Sequence, residues 1–283
     1  TVGFSRNGRL GSVAAMQAEG GAAVALRIFS DTPPGYLRGM AFDTLQGANW
    51  DMRGQTFQAR AVVPSAHAPK PEPGEESFRL RDTPSETGPW RTLGIFPSGR
   101  AQYAAFSPLG AVYMYAHRGS LSVDSEGTPV SSSIPERASY RVAVPENPEF
   151  SELSDARREQ LTALPETTDP RVRELASRLT RECRTAREKI EAVTQFFTSN
   201  FTYQLGIEIP EDEDPITYFL LNRPPAHCEY FASGAAVLLR LAGIPARYVT
   251  GYMVGAKNTY GGYWIARDRD AHAWVEAYDP NRG

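Results

Sequence analysis

The sequence predicts an α+β protein, with a β-rich first half followed by a helical cluster that gives way to an antiparallel sheet. Three observations carry this. Residues 1–147 read as short β-favouring runs punctuated by Gly, Pro and Asp. Helix-opening signals then recur between residues 169 and 228, and strand patterns return after Pro245. The expected domains are a sandwich-like 1–147 and an α+β unit over 148–283.

In the first half the runs AAVALRIF (22–29), YLRGMAF (36–42), SFRLR (77–81), AVYMY (111–115) and SYRVAV (139–144) are the expected strands. The segment PSAHAPKPEPGEES from Pro64 is proline-rich and charged, which suits a surface loop. After Pro145 the helices begin. Asp169 is an N-cap with Pro170 in the first turn, and Thr185 with Glu188 makes a capping box. The helix behind that box puts Ile190, Val193 and Phe197 on one face. Asp214 and Pro215 repeat the Asp-Pro opening, and a double proline at 224 and 225 precedes a last helix that stops at Gly243 and Pro245. The strands ARYVTGYMV (246–254), GGYWIA (261–266) and HAWVEAY (272–278) follow, the last with His272, Trp274, Glu276 and Tyr278 on one face. No internal repeat is present.

Composition narrows the function classes. The 283 residues carry 30 basic and 33 acidic side chains, mixed along the chain without a basic block. That excludes the electrostatic footprint of a nucleic-acid or anionic-membrane binder. No run approaches the roughly 18 apolar residues of a membrane span, and the longest candidate is broken by Arg240. The chain opens at Thr1 and closes within AYDPNRG, so it is expected to be a piece of a longer protein. Two cysteines make neither a disulfide framework nor a zinc pattern, and a Cys183–Cys228 bridge would silence both thiols. No metal and no organic cofactor is expected.

Cys228 is where chemistry enters. It lies in the first turn of PPAHCEYFASGAAVLLRLAGIP, an almost wholly apolar helix with no oxygen-bearing cap at its start. A thiol there faces unpaired backbone N–H groups and the positive end of the helix dipole, which favour the thiolate and can hold an oxyanion. Of the four histidines, His67 sits in the proline-rich loop, His117 in the β-rich half and His227 beside the cysteine. Neighbours on a helix point about 100° apart, so His272, on a strand against which the buried helix packs, is the better proton partner. An isolated buried cysteine and a strand-start histidine are also common as plain structural residues, and the residues alone leave that alternative open.

A family resemblance bears on the choice. The stretch HCEYFASGAAVLLRLAGIPARYVTGY followed by DAHAWVEAY resembles the transglutaminase-like core, densely from Phe201 to Tyr278. It is most similar to the bacterial membrane-anchored transglutaminase-like proteins, and VGFSRNGRLGSVAAM and YLRGMAFDTLQGANW look like the β-rich part that precedes the core in that group. The resemblance implies a papain-like core, Cys228 as nucleophile, His272 as base, and a catalytic region on the periplasmic or other extracytoplasmic face of a bacterial membrane, its anchoring segments lying outside this chain. Ala226 stands where the family often has Gly. The family's orienting aspartate lies on a following strand, so it is expected beyond Gly283; Asp279 reads as a turn former, and this chain alone is expected to be weakly active or inactive.

The expected function is cysteine-dependent acyl transfer through a thioester, from a Gln or peptide amide of a protein or peptide substrate to an amine or to water. The alternatives are a cysteine protease or amidase on the same scaffold, and a catalytically silent cell-envelope binding module. Tyr203 and Trp264 are candidate substrate-binding residues, each with ordinary sheet packing as its alternative. Glu229 reads as a first-turn acid whose charge opposes thiolate formation, and Cys183 as a bystander.

Overall fold

The computed structural model describes residues 4, 7–98, 101, 104–117, 119–132 and 138–280. The last part of the AYDPNRG turn, 281–283, and parts of the N-terminal motif lie outside the described residues. The first half contributes β1 (Asn7–Arg9), α1 (Ser12–Gly20), β2 (Val24–Phe29), β3 (Gly35–Phe42), β4 (Thr44–Gln46), β5 (Asn49–Asp51), β6 (Thr56–Gln58) and β7 (Glu76–Arg79). It continues with β8 (Trp90–Pro97), β9 (Tyr113–Ala116), β10 (Leu121–Asp124), β11 (Pro129–Ser132) and β12 (Tyr140–Pro145). The helices are α2 (Asp155–Thr162), α3 (Pro170–Thr180), α4 (Ala186–Asn200), α5 (Pro215–Asn222) and α6 (Cys228–Leu241). Strands β13 (Ala246–Val254), β14 (Ala256–Asn258), β15 (Tyr263–Arg267) and β16 (Ala271–Ala277) close the chain.

The caps expected from sequence form. Asp169 accepts from the Arg171 N–H, Asp214 from the Thr217 N–H, and Thr185 with Glu188 closes both halves of its box. Each relieves an N–H that the first helical turn leaves without a partner. The unexpected elements include α1, the short α2, β8 and several strands of three or four residues such as β6, β10 and β11. The SVAAMQAEG stretch has no strong apolar stripe, so α1 is held by what it docks against rather than by its own pattern.

The strand runs of the two halves interleave. One sheet has the order β14-β15-β2-β8-β12-β9-β7 and another β16-β13-β3, so β2 and β3 join strands from beyond residue 245. All pairings within these two sheets are antiparallel. The change near residue 147 is therefore one of secondary structure, while sheets and the main apolar core run across it. Pairing β3 with β13 buries Leu37 and Phe42 beside Tyr248 and Tyr252, which a sheet drawn from the last strands alone would leave uncovered.

Helix α6 runs through the centre. Apart from Phe231 and Leu241, all its residues are buried, between β13 and β16 on one side and α3, α4 and α5 on the other. Small residues allow the close approach: a Cβ on Gly234 would meet Leu220 at 3.0 Å and Phe197 at 3.2 Å. Burying Val237, Leu238 and Leu239 contributes on the order of 1.5–3 kcal/mol each. Arg240, 3% exposed, donates to the carbonyls of Ala246, Ala163 and Asp43 and lies over the Trp50 ring, so its charge is hydrogen-bonded inside the core. These bonds lock the end of α6 to the start of β13. The other end of the helix is thereby aimed at the start of β16.

Candidate active site

Cys228 opens α6 and is 3% exposed. The N-cap residue, His227, makes no side-chain cap bond. The backbone N–H groups of Cys228 and Glu229 are directed at the sulfur instead, and a third comes from Ala273. The heads of α2, α3, α4 and α5 each carry an oxygen-bearing cap instead, one residue before the helix. Strand β16 is the edge of its sheet, so the outward Ala273 N–H is available to α6.

That bond brings His272, the preceding residue, to the same corner. Its backbone pairs with Gly251, and its ring stacks on Tyr36 with centroids 6.0 Å apart. Tyr36 also meets Trp274 at 4.9 Å, so the outer face of the sheet here is aromatic. Among the described residues no hydrogen bond or carboxylate reaches His272. Asp279 sits past the end of β16.

Burial decides the charge state of the pair. It pushes the Cys228 thiol up to about 12; the Ala273 N–H counters this in part, and the neighbouring Glu229 charge reinforces it. Burial likewise lowers the His272 imidazole below its ordinary value. Both shifts favour neutral forms. The expectation that the helix N-terminus holds a resting thiolate is corrected here: three N–H groups stabilise the anion by less than its removal from water costs.

Glu229 is fully buried, and its carboxylate is not a simple first-turn acid. Oε2 accepts from the N–H groups of Gly11 at 3.0 Å and Ala14 at 3.1 Å, and Oε1 from the Ser12 and Tyr248 hydroxyls at 3.3 and 3.4 Å. It clamps the N-terminus of α1 onto the N-terminus of α6, as an anion at a helix start does. His227 Nε2 lies 3.2 Å from Oε2 without hydrogen-bond alignment. Further along α1, Gln17 Nε2 donates to the Ala271 carbonyl at 2.7 Å. Neither role had a sequence signal, because the partners are more than 200 positions away.

Tyr203 is brought to the site. Its segment is held by hydrogen bonds between residues 202–204 and Ala226, two positions before the cysteine. The ring is half exposed, and the hydroxyl sits beside the Cys228 sulfur and the Gln17 amide. Trp264 is not brought there. It is 9% exposed in β15, donates to the Ser30 carbonyl at 3.0 Å and lies under Lys257, which is cross-strand packing rather than a groove wall. Cys183 follows α3, and both cysteines are free thiols. Among the described residues no cluster of three or more His, Cys, Asp or Glu is placed to hold a metal, and no helix is long and apolar enough to cross a membrane.

Residues 173–283, which hold the cysteine-headed helix and the histidine-bearing edge strand, match the model of the transglutaminase-like superfamily. Among curated relatives, the chain is 39% identical over 150 residues to the uncharacterized protein YebA of Bacillus subtilis, covering 50% of this chain and 20% of that protein. It is 34% identical over 152 residues to a protein-glutamine gamma-glutamyltransferase of Pseudomonas aeruginosa, covering 53% and 23%. The chain spans about a fifth of the length of these relatives. In fold it is similar to the crystal structure of the periplasmic domain of TgpA from Pseudomonas aeruginosa, with TM-score 0.77 and 24% identity over 100% of this chain and 92% of that one. The same domain bound to ethylmercury gives TM-score 0.74 and 23% identity over 99% and 94%.

Proposed function

We propose that the protein is a cysteine acyltransferase in which Cys228 attacks the carbonyl of a Gln side chain or peptide amide and His272 moves the proton. The observation that carries this is the buried sulfur at the head of α6 with three backbone N–H groups directed at it, one of them from the residue next to His272. Because the resting pair is neutral, His272 takes the thiol proton as the C–S bond forms, acting as a general base rather than as a preformed imidazolium. The same proton then goes to the leaving nitrogen as the C–N bond breaks. A thioester on Cys228 remains, for an amine to take up or water to hydrolyse.

The acyl donor is a protein or peptide, and Tyr203, exposed beside the sulfur, contacts it. The parent protein is membrane-anchored through segments outside this chain and holds this region on the extracytoplasmic side, a reading supported by its likeness to a periplasmic domain. The test is incubation with a glutamine-containing peptide and a labelled primary amine, with intact-mass detection of the Cys228 thioester. Label in the peptide supports transfer, and ammonia or peptide release without label supports the amidase alternative. Identical outcomes for wild type and Cys228→Ser refute both and leave the silent binding module.

A further inference from the structure

The residue before the nucleophile is a buried imidazole that the reaction above does not use. His227 is 3% exposed, and neither ring nitrogen makes a hydrogen bond, although buried polar groups are almost always partnered. Nε2 lies 3.2 Å from Glu229 Oε2, at the outer limit of a hydrogen bond, so only the angle of the ring keeps the two groups from bonding. The Tyr230 ring packs edge-on against the imidazole with centroids 5.0 Å apart. The carboxylate is fully buried, and its partners from Gly11, Ser12, Ala14 and Tyr248 are all uncharged. Among the described residues, His227 is the one basic side chain within ion-pair distance of it. The titratable groups that face the pair are Cys228 and Tyr230 on α6 and Tyr248 on β13. Cys228 lies between the two in the chain, and the Glu229 charge opposes ionisation of its thiol.

We infer that His227 is a positioning residue of the proposed acyl transfer: when protonated, its Nε2–H donates to Glu229 Oε2, and the carboxylate beside the Cys228 sulfur becomes half of a neutral ion pair. The inference rests on the acyl-transfer reading above, and the residue acts through Glu229. A buried carboxylate with neutral donors gains a counter-ion, and the ring gains a charge-assisted bond that low dielectric strengthens. The thiol proton still passes to His272 as the C–S bond forms, and from there to the leaving nitrogen. The His227 proton comes from solvent, stays on the ring throughout and is not consumed. With the ring charged, negative charge gathers on the sulfur beside a neutral pair; with the ring neutral, it gathers beside a bare anion that repels it. The contribution is therefore present at low pH and lost as pH rises through the titration of His227. His272 works in the opposite sense, since it must be neutral to take the thiol proton.

The test has two arms, both in a Cys183→Ala background. In the first, the histidine ring signals are followed by NMR against pH, assigned by replacing each histidine in turn. Glu229→Gln removes the anion that holds the ring proton, so the His227 midpoint should fall by at least about one pH unit; a midpoint that stays or rises overturns the pairing. In the second, acylation of Cys228 by p-nitrophenyl acetate is profiled against pH. His227→Gln should slow it about tenfold at the acid end, equivalent to one unit in the proton affinity of the thiol, and the gap should close as pH passes the wild-type His227 midpoint. A merely structural role would slow acylation equally at every pH, so a constant gap, or none, overturns the positioning role. Wild-type protein that is never acylated overturns the acyl-transfer reading itself, and a midpoint that still falls in Glu229→Gln then shows that the pairing stands without it.

Discussion

Glutamine in place of Glu229 keeps the shape of the α1–α6 clamp and removes its charge. The amide oxygen can take the Oε2 position and still accept from Gly11 and Ala14, while the NH2 group donates to the Ser12 or Tyr248 hydroxyl. Two charge-assisted bonds become neutral ones, at about 1 kcal/mol each, and the favourable position of an anion at the start of α1 is lost for up to about 1 kcal/mol more. The sum is roughly 2–3 kcal/mol, a fall of about 4–12 °C in thermal midpoint for a chain of this size. The thiol responds in the opposite sense, because Glu229 opposes its ionisation. At an effective dielectric of about 20 a close pair of like charges repels by a few kcal/mol, so Cys228 ionisation should move down by one to two pH units. Thermal melts and iodoacetamide labelling against pH read the two effects on one sample. An unchanged midpoint, or a labelling curve displaced to higher pH, refutes the clamp and the sign of the coupling.

Three further outcomes are expected. Labelling of Cys228 in wild type should keep rising beyond pH 9, since burial holds the thiol near 12; a plateau near pH 7 would show the resting ion pair that the geometry disfavours. Burial alone would raise the Glu126 carboxyl, but Arg247 and Arg157 outweigh it and hold it at about 2, below its ordinary 4.5. Its contribution is therefore present above pH 4.5 and lost as pH falls toward 2, so the stability gap between wild type and Glu126→Gln in urea titrations should close over that range; a constant gap contradicts the assignment. Gly251→Ala would drive a Cβ into the Leu37 carbonyl oxygen at the bulge where β3 meets β13, opposite His272. Overpacking of this kind costs about 1–3 kcal/mol, and a melt within 1 °C of wild type would show that the strands relax around it.

What could be read from the chain was local. Asp169, Thr185 and Asp214 cap their helices because a side-chain oxygen needs only the N–H two or three residues on. The absence of such an oxygen before α6 pointed to the cysteine, and the two motifs around Cys228 and His272 are each short and contiguous. Aromatic strands could be recognised, but not told apart by use: Tyr203 reaches the sulfur whereas Trp264 is spent on packing.

The sequence by itself determined the starts of α3 to α6, half of the strands, the resemblance to the transglutaminase-like core and the two candidate residues, Cys228 and His272. Tertiary structure alone decided that β2 and β3 complete sheets made from the last strands, that α1 exists and that Glu229 holds it in place. It also decided how deeply the Cys228 sulfur is buried, which pushes its thiol up. The reason is range. Caps and periodicities are settled within a turn or a strand, whereas docking across more than 200 residues and the desolvation of a buried sulfur depend on what the rest of the fold brings alongside.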